Sequence, residues 1–424
     1  MSAAATLPNV TVGATEPTAA AADDFDPCGD VAIPGGADIA DPYPGFAEAR
    51  VSSPVTNVGP AFGDRAHDTY FLVSHADVER VLRDETMFSA RPSGESMRDV
   101  MGWTILGMDG PEHLRHRSLV AQAFRPKYLK GWEDELIRPL VHELIDGFAS
   151  RGRAELIREL LLTYPIQVIA RILGLPAEDS EKFENWAVWI IASGVDPTRG
   201  KAASTALRDY LVPVLAERRR QPADDVISQL VRAELDGEVL SDEEILPFLL
   251  LLLPAGGETT YRATGNLLWA LLTHPDQLEA VRRDRSLIRP AIEEALRWEP
   301  PLLILAREAL VDTEIAGVPI PKGSHVAVSQ GAANRDPAFA ADPNTFDINR
   351  GLRAHLTFGN GPHMCLGMHL ARLEMTLVLD ILLDRLPNLR LDNEAMESAE
   401  PPSIRGMAFR SPTALPVVFD PVPA

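Results

Sequence analysis

The apolar periodicities of the sequence are compatible with a mainly α-helical fold that carries a small β-rich part, and three observations bear on it. From residue 132 to 240, apolar side chains recur every three or four positions. A second long apolar run begins after Ser241 and continues to about Leu272. Near the N-terminus, residues 51–58 and 69–73 read instead as strands, split by a turn rich in Gly, Asp, Arg and His. The 424 residues and 46% hydrophobic content allow a large core. Length alone suggests two or three domains, and there is no internal repeat.

Charge and composition exclude several functions. Asp and Glu number 61 against 40 Lys and Arg, a formal charge of −21. A duplex or an anionic membrane would be repelled overall, which argues against nucleic-acid or membrane-surface binding. Two cysteines, Cys28 and Cys365, make no disulfide framework, so a reducing, cytoplasmic setting is expected. Residues 1–22 are rich in Ala, Thr and Pro and lack a basic start or an apolar block, unlike a signal peptide or anchor. The most apolar run, 245–253, is too short to span a bilayer.

Taken in order, residues 1–38 read as a mobile acidic tail ahead of a folded region, 39–424. A short helix is expected from Pro42 through Phe46 and Ala49. Ser74 and Asp77 mark another helix start, with Val78, Val81 and Leu82 on its apolar face. Residues 91–108 have no clean period but carry much apolar surface, including Met97, Val100, Trp103 and Leu106. A long irregular loop of that composition suits a binding lid. In the helix that follows Gly110-Pro111, His113 and Arg117 are four apart and share a face. They are two solvated side chains or a two-pronged anion site.

Ser241 with Glu244 forms a capping box that opens the long apolar helix. Its middle reads Pro254-Ala255-Gly256-Gly257-Glu258-Thr259-Thr260. Two glycines weaken a helix and Pro254 removes an N–H, so a kink or widened turn is expected. Thr259 can bond back to the Ala255 carbonyl. Glu294 and Arg297 pair on the next helix. Pro300-Pro301 ends that helix, and an apolar strand runs from Leu302 through Ile304 toward Arg307. Further strands are expected at 314–315 and 326–328, and a closing hairpin over 405–417.

The stretch with the most chemistry is Phe358-Gly359-Asn360-Gly361-Pro362-His363-Met364-Cys365-Leu366-Gly367. Its glycines let the backbone take φ > 0 and let something bulky approach. A helical pattern follows, so Cys365 is expected just before a helix N-terminus, where N–H groups favour a thiolate. One thiolate cannot complete a zinc site but suits the axial position of a haem iron. A lone cysteine is more often a buried structural residue; here its setting reverses that.

The stretch resembles the haem-binding loop of cytochrome P-450, Phe-Gly-x-Gly-x-His-x-Cys-x-Gly, at every specified position. Three more stretches resemble that family in the same order. These are His113-x-x-x-Arg117, Ala255-Gly256-Gly257-Glu258-Thr259-Thr260, and Glu294-x-x-Arg297 with Arg350 beyond it. The resemblance covers residues 42–417 and implies a single triangular, mainly α domain holding haem b. It makes Cys365 the axial ligand of the haem iron. It places His113, Arg117, Arg307 and His363 on the haem propionates, and Glu258 and Thr259 in proton delivery. Glu294, Arg297 and Arg350 become a structural network. Candidate substrate contacts are Met97, Val100, Trp103, Leu106, Leu251, Ala255, Leu302, Ile304 and Met407, with Phe409 beside them. His355 lies near the loop without an assigned role.

The implied activity is insertion of one atom of O₂ into a C–H bond of a small hydrophobic substrate. Electrons would come from a separate ferredoxin or flavodoxin with a nicotinamide-dependent reductase, since no fused redox module is recognisable. Arg125, Lys127 and Lys130 are a candidate docking patch, and Arg91 or Arg98 a candidate anchor for a substrate carboxylate. Two alternatives stay open. One is a peroxide-using or non-oxygenating haem-thiolate enzyme, which the Glu258-Thr259 pair argues against. The other is a haem-based sensor without turnover.

Overall fold

A computed structural model describes residues 39–61, 66–124, 126–235 and 237–422, except the side chains of 126 and 127. The expected tail 1–38 with Cys28, and Arg125 and the Lys127 side chain of the candidate patch, lie outside the described residues. The molecule is built around one helix, α4 (Asp242–Thr273). Three other helices give the frame: α1 (Gly110–Val120), α2 (Thr163–Ile172) and α3 (Pro197–Arg220). They are completed by α5 (Ile288–Trp298) and α6 (Met368–Arg385).

α4 opens on the expected capping box between Ser241 and Glu244. It is apolar on nearly every face, as a helix must be when neighbours surround it. α2, α5 and α6 all pack against it. Helix runs unbroken through Pro247 and Pro254, so of the kink or widened turn expected there the widened turn is not formed. The two glycines have a packing reason instead. A Cβ on Gly256 would lie 2.6 Å from Ile169 Cγ1, and one on Gly257 would lie 2.4 Å from Ile166 Cγ1. Only bare backbone at those positions lets α2 lie this close.

The β-rich part is a five-stranded sheet in the order β1-β2-β5-β4-β3, formed by Val55–Asn57, Thr69–Leu72, Phe88–Ser89, Ile304–Ala309 and His325–Ser329 in chain order. β2 and β5 are parallel, pairing Val326 with Tyr70; β5 and β4 are antiparallel, pairing Val326 with Arg307. The first strand is shorter than the sequence suggests because the helix Tyr43–Ser52 runs into its expected start. Residues 91–108 fold into two short helices, Arg91–Glu95 and Arg98–Met101, joined by turns. The closing hairpin pairs Ile404–Arg405 with Ser411–Pro412.

Two buried ionic networks tie distant segments together. Arg297 forks onto both oxygens of Glu294 at 2.7 and 2.8 Å, and Arg350 Nε reaches Glu294 Oε1 at 3.0 Å. Arg297 also donates to the carbonyls of Asn334 and Pro343. The second network centres on Glu299, which accepts from the Tyr43 hydroxyl at 2.5 Å and Arg410 Nε at 2.9 Å. Arg335 lies 3.4 Å over the Tyr43 ring. Burial and the neighbouring carboxylate push the Tyr43 hydroxyl far above its ordinary range, so it stays a donor.

Candidate active site

The Cys365 turn is shaped by its glycines. Gly361 sits at φ +74°, and a Cβ there would come within 2.8 Å of the Arg83 Cα and the Leu82 carbonyl. The turn therefore rests directly on the helix His75–Arg83. The Cys365 N–H donates to the Phe358 carbonyl at 2.8 Å. α6 starts three residues later, and the N–H groups of Gly367 and Met368 are directed at the sulfur. Burial nevertheless pushes the Cys365 thiol up, against the pull of Gly367, Arg117 and Arg372. The helix N-terminus alone thus does not make the thiolate expected from sequence; a coordinated metal would. Cys365 is an exposed residue, yet its surroundings desolvate the sulfur.

Four basic side chains gather around that sulfur. The rings of His113, from α1, and His363, from the Cys365 turn, stack with centroids 4.0 Å apart. Arg117, one turn along α1 from His113, donates to the Met364 carbonyl. Arg307, in β4, is 5% exposed. Burial lowers all four, with His363 reaching about 3 and Arg307 about 10. At neutral pH the two arginines carry charge, and burial favours the neutral form of both rings.

Neither arginine has a carboxylate within ion-pair distance among the described residues. The Nε2 atoms of His113 and His363 are buried without a hydrogen-bond partner. Arg307 Nη1 donates to the Ala306 carbonyl at 2.8 Å. The one acid close by is Asp109, missed in the sequence. It is tied to Ser89 and to the Ala90 N–H and stands 3.9 Å from His363 Nε2. Two charged arginines with two buried imidazole nitrogens beside them are a setting that the carboxylates of one ligand would satisfy. The residues present therefore fit haem.

In the middle of α4, Ala255 is exposed and Thr259 half-exposed, one turn apart on one face of a mostly buried helix. Thr259 Oγ1 donates to the Ala255 carbonyl at 3.0 Å. Glu258 points elsewhere: its Oε1 accepts from Arg262 Nε at 2.8 Å and Nη2 at 2.6 Å, and both side chains are buried. Arg262 in turn donates to Ser411 Oγ in the closing hairpin. The spacing of four between Glu258 and Arg262 was a readable signal for this pair.

Of the candidate substrate contacts, Met97, Val100, Trp103 and Leu251 belong to or pack on the large apolar cluster around α4. Ile304 and Met407 share a smaller cluster, and Leu302 bridges to Phe409. Leu106 joins neither and is 37% exposed. Arg91 and Arg98, candidate carboxylate anchors, lie 5.8 and 5.4 Å over the Trp103 ring. Among the described residues no three His, Cys, Asp or Glu side chains could hold a metal ion together.

A fold of this kind, with a cysteine just before the start of a helix and buried arginine and imidazole groups grouped beside its turn, fits a haem-thiolate protein. A family model for cytochrome P450 matches residues 184–412. The chain is similar to the cytochrome P450 monooxygenase PikC of Streptomyces venezuelae, 36% identical over 87% of this chain and 90% of the relative. It is similar to a steroid C26-monooxygenase of Mycolicibacterium smegmatis, 32% identical over 82% and 85%. The crystal structure of CYP109E1 from Bacillus megaterium with testosterone aligns at a TM-score of 0.80 and 31% identity, covering 90% of this chain and 99% of the other. The chain belongs to the cytochrome P450 family. It has that family's fold, binds haem b and is a monooxygenase. No helix of the described residues is long and apolar enough to cross a membrane.

Proposed function

We propose that this chain is a cytoplasmic haem-thiolate monooxygenase for a small hydrophobic substrate, reduced by a separate ferredoxin or flavodoxin. The observation that carries the reading is the Cys365 turn with Arg117 on its Met364 carbonyl, beside two buried imidazole Nε2 atoms without a hydrogen-bond partner among the described residues. Haem b, when bound, supplies the activation of O₂: two electrons and two protons are consumed, one oxygen atom goes to the substrate C–H bond and the other leaves as water. Cys365 would hold the iron and lend it electron density. Arg117 and Arg307 would balance the two propionate charges, with His113 and His363 beside them. Thr259 presents a hydroxyl that accepts a proton from water and passes it on. Glu258 sets the local charge from its bond to Arg262. Glu294, Arg297 and Arg350 act as a structural clamp.

The apolar lining supports a terpene, steroid, fatty acid or aromatic compound as substrate. The steroid named for two of the similar proteins favours the larger of these. An acidic redox partner needs a local basic face despite the net charge of −21. Lys130 is exposed, and an open cleft of about 320 Å³ beside the helix that follows Cys365 is lined by Arg289, Arg353, His369 and Arg372 together with Glu293, which pairs with Arg372.

The test combines spectroscopy and turnover. The reduced protein should give the carbon monoxide difference band of a thiolate-ligated haem, and Cys365→Ser should lose it. Product should form from a hydrophobic substrate with a surrogate ferredoxin system. A Cys365→Ser variant with unaltered bands and normal turnover would refute the reading.

A further inference from the structure

The carboxylate of Glu293 is a junction behind the Cys365 turn. Its Oε1 accepts from Arg372 Nε at 2.6 Å, and its Oε2 from Arg372 Nη2 at 2.9 Å. Oε2 also lies 3.2 Å from His355 Nε2. The Thr357 N–H donates to His355 Nδ1 at 3.3 Å. Nδ1 is thereby an acceptor, so the ring proton sits on Nε2 and is given to Glu293. His355 is nearly enclosed, with a side chain 2% exposed, and Glu293 is 12% exposed. This is a built ionic junction on α5 and not a passing surface pair.

Its far side reaches the sulfur. The Arg372 guanidinium lies 4.4 Å over the Phe358 ring. Phe358 is the residue whose carbonyl takes the Cys365 N–H. Arg372 is also one of the two cations that act on the Cys365 sulfur through space. Glu293 therefore controls two things at once. It fixes where Arg372 sits on the turn, and it neutralises the charge that Arg372 presents there.

We propose that Glu293, oriented by His355, is a positioning residue that sets how strongly the Cys365 thiolate donates to the haem iron, acting through Arg372 and Phe358. Outer groups of this kind tune a metal through its ligands. The proposal rests on Cys365 being the axial ligand. Removing the carboxylate leaves Arg372 uncompensated, which draws electron density from the sulfur and favours the less positively charged ferrous state. Removing the guanidinium does the opposite.

The test is the reduction potential of the haem-loaded protein, measured by spectroelectrochemistry on wild type, Glu293→Gln, Arg372→Gln and the double variant. A unit charge changed at roughly 10–15 Å, with an effective dielectric constant near 20, shifts the ferric–ferrous equilibrium on the order of tenfold. That corresponds to ~59 mV for one electron. Glu293→Gln should move the potential up and Arg372→Gln down, and the double variant should return toward wild type. A merely structural role would move both single variants the same way or neither, and either result overturns the proposal. Should Glu293→Gln fail to retain haem, Arg372→Gln and Arg372→Lys decide it. The lysine keeps the charge and should hold the wild-type potential while the glutamine lowers it; equal shifts overturn the proposal. Failure of the ligand assignment would look different, since Cys365→Ser would then keep the wild-type haem spectrum.

Discussion

Replacing Arg307 should stabilise the haem-free protein and weaken the haem-loaded one. The guanidinium is 5% exposed and has no carboxylate within ion-pair distance among the described residues. Burial lowers its pKa from 12.5 to about 10, only partly offset by Asp109. Each unit is ~1.4 kcal/mol, so keeping it charged in the folded apoprotein costs about 3 kcal/mol at neutral pH. The sign follows from linkage. Between about 10 and 12.5 the unfolded chain holds the proton that the folded chain has lost, so stability rises with pH there. The full penalty is present below about pH 10.

Arg307→Met removes that penalty and keeps most of the apolar stem. For a chain of this length, Tm changes by roughly 1.2 °C per kcal/mol, so the haem-free variant should melt ~3–4 °C higher. With haem bound, the same change deletes a charge-assisted bond to a propionate worth about 1.5–3 kcal/mol. Haem affinity should then fall by roughly 10–100-fold, read as faster transfer to an excess of a haem-scavenging apoprotein. Differential scanning calorimetry of both forms checks the two signs separately. If Arg307→Met lowers Tm equally with and without haem, Arg307 is an ordinary structural residue and the propionate assignment fails.

Three further outcomes are expected. Gly257→Ala forces a methyl to 2.4 Å from Ile166 Cγ1 and should cost about 1–3 kcal/mol by chemical denaturation; paired with Ile166→Ala it should cost clearly less than the two single changes added together. Thr259→Ala should leave the substrate-induced spectral shift intact and cut product formed per electron consumed by about tenfold or more, with unchanged yield counting against the relay. Although burial pushes the Glu293 carboxyl up, hydrogen bonds from His355 and Arg372 hold it at about 2. It should therefore contribute stability above its unfolded pKa of about 4.5 that is lost as pH falls toward 2, up to roughly 3 kcal/mol, and Glu293→Gln should flatten that acid limb.

The parts of this molecule that were readable in advance are those whose chemistry needs neighbouring residues. The Cys365 turn packs its glycines, His363 and the sulfur into ten positions, because a backbone lying under a flat ligand must be compact. His113 and Arg117 are legible for a similar reason, being one helical turn apart. What stayed hidden depends on residues far apart in sequence. Nothing periodic links Tyr43 to Glu299, Glu293 to Arg372, or Arg262 to Ser411, yet each pair is in hydrogen-bond contact. The same holds for Gly256 and Gly257, whose meaning lies in Ile169 and Ile166 on another helix.

Burial also reverses conclusions drawn from local sequence, and the site shows why this matters for function. Sequence places Cys365 at a helix N-terminus, which favours a thiolate, while the surroundings desolvate the sulfur and favour the thiol. The same desolvation drops His363 to about 3 and strains the charge on Arg307. Burial alone thus opposes the thiolate and the charge on Arg307. A metal bound to the sulfur would reverse the first, and a carboxylate beside the guanidinium the second. A site built for a neutral apolar molecule would need neither two buried imidazole nitrogens without partners nor a buried guanidinium without a carboxylate among the described residues.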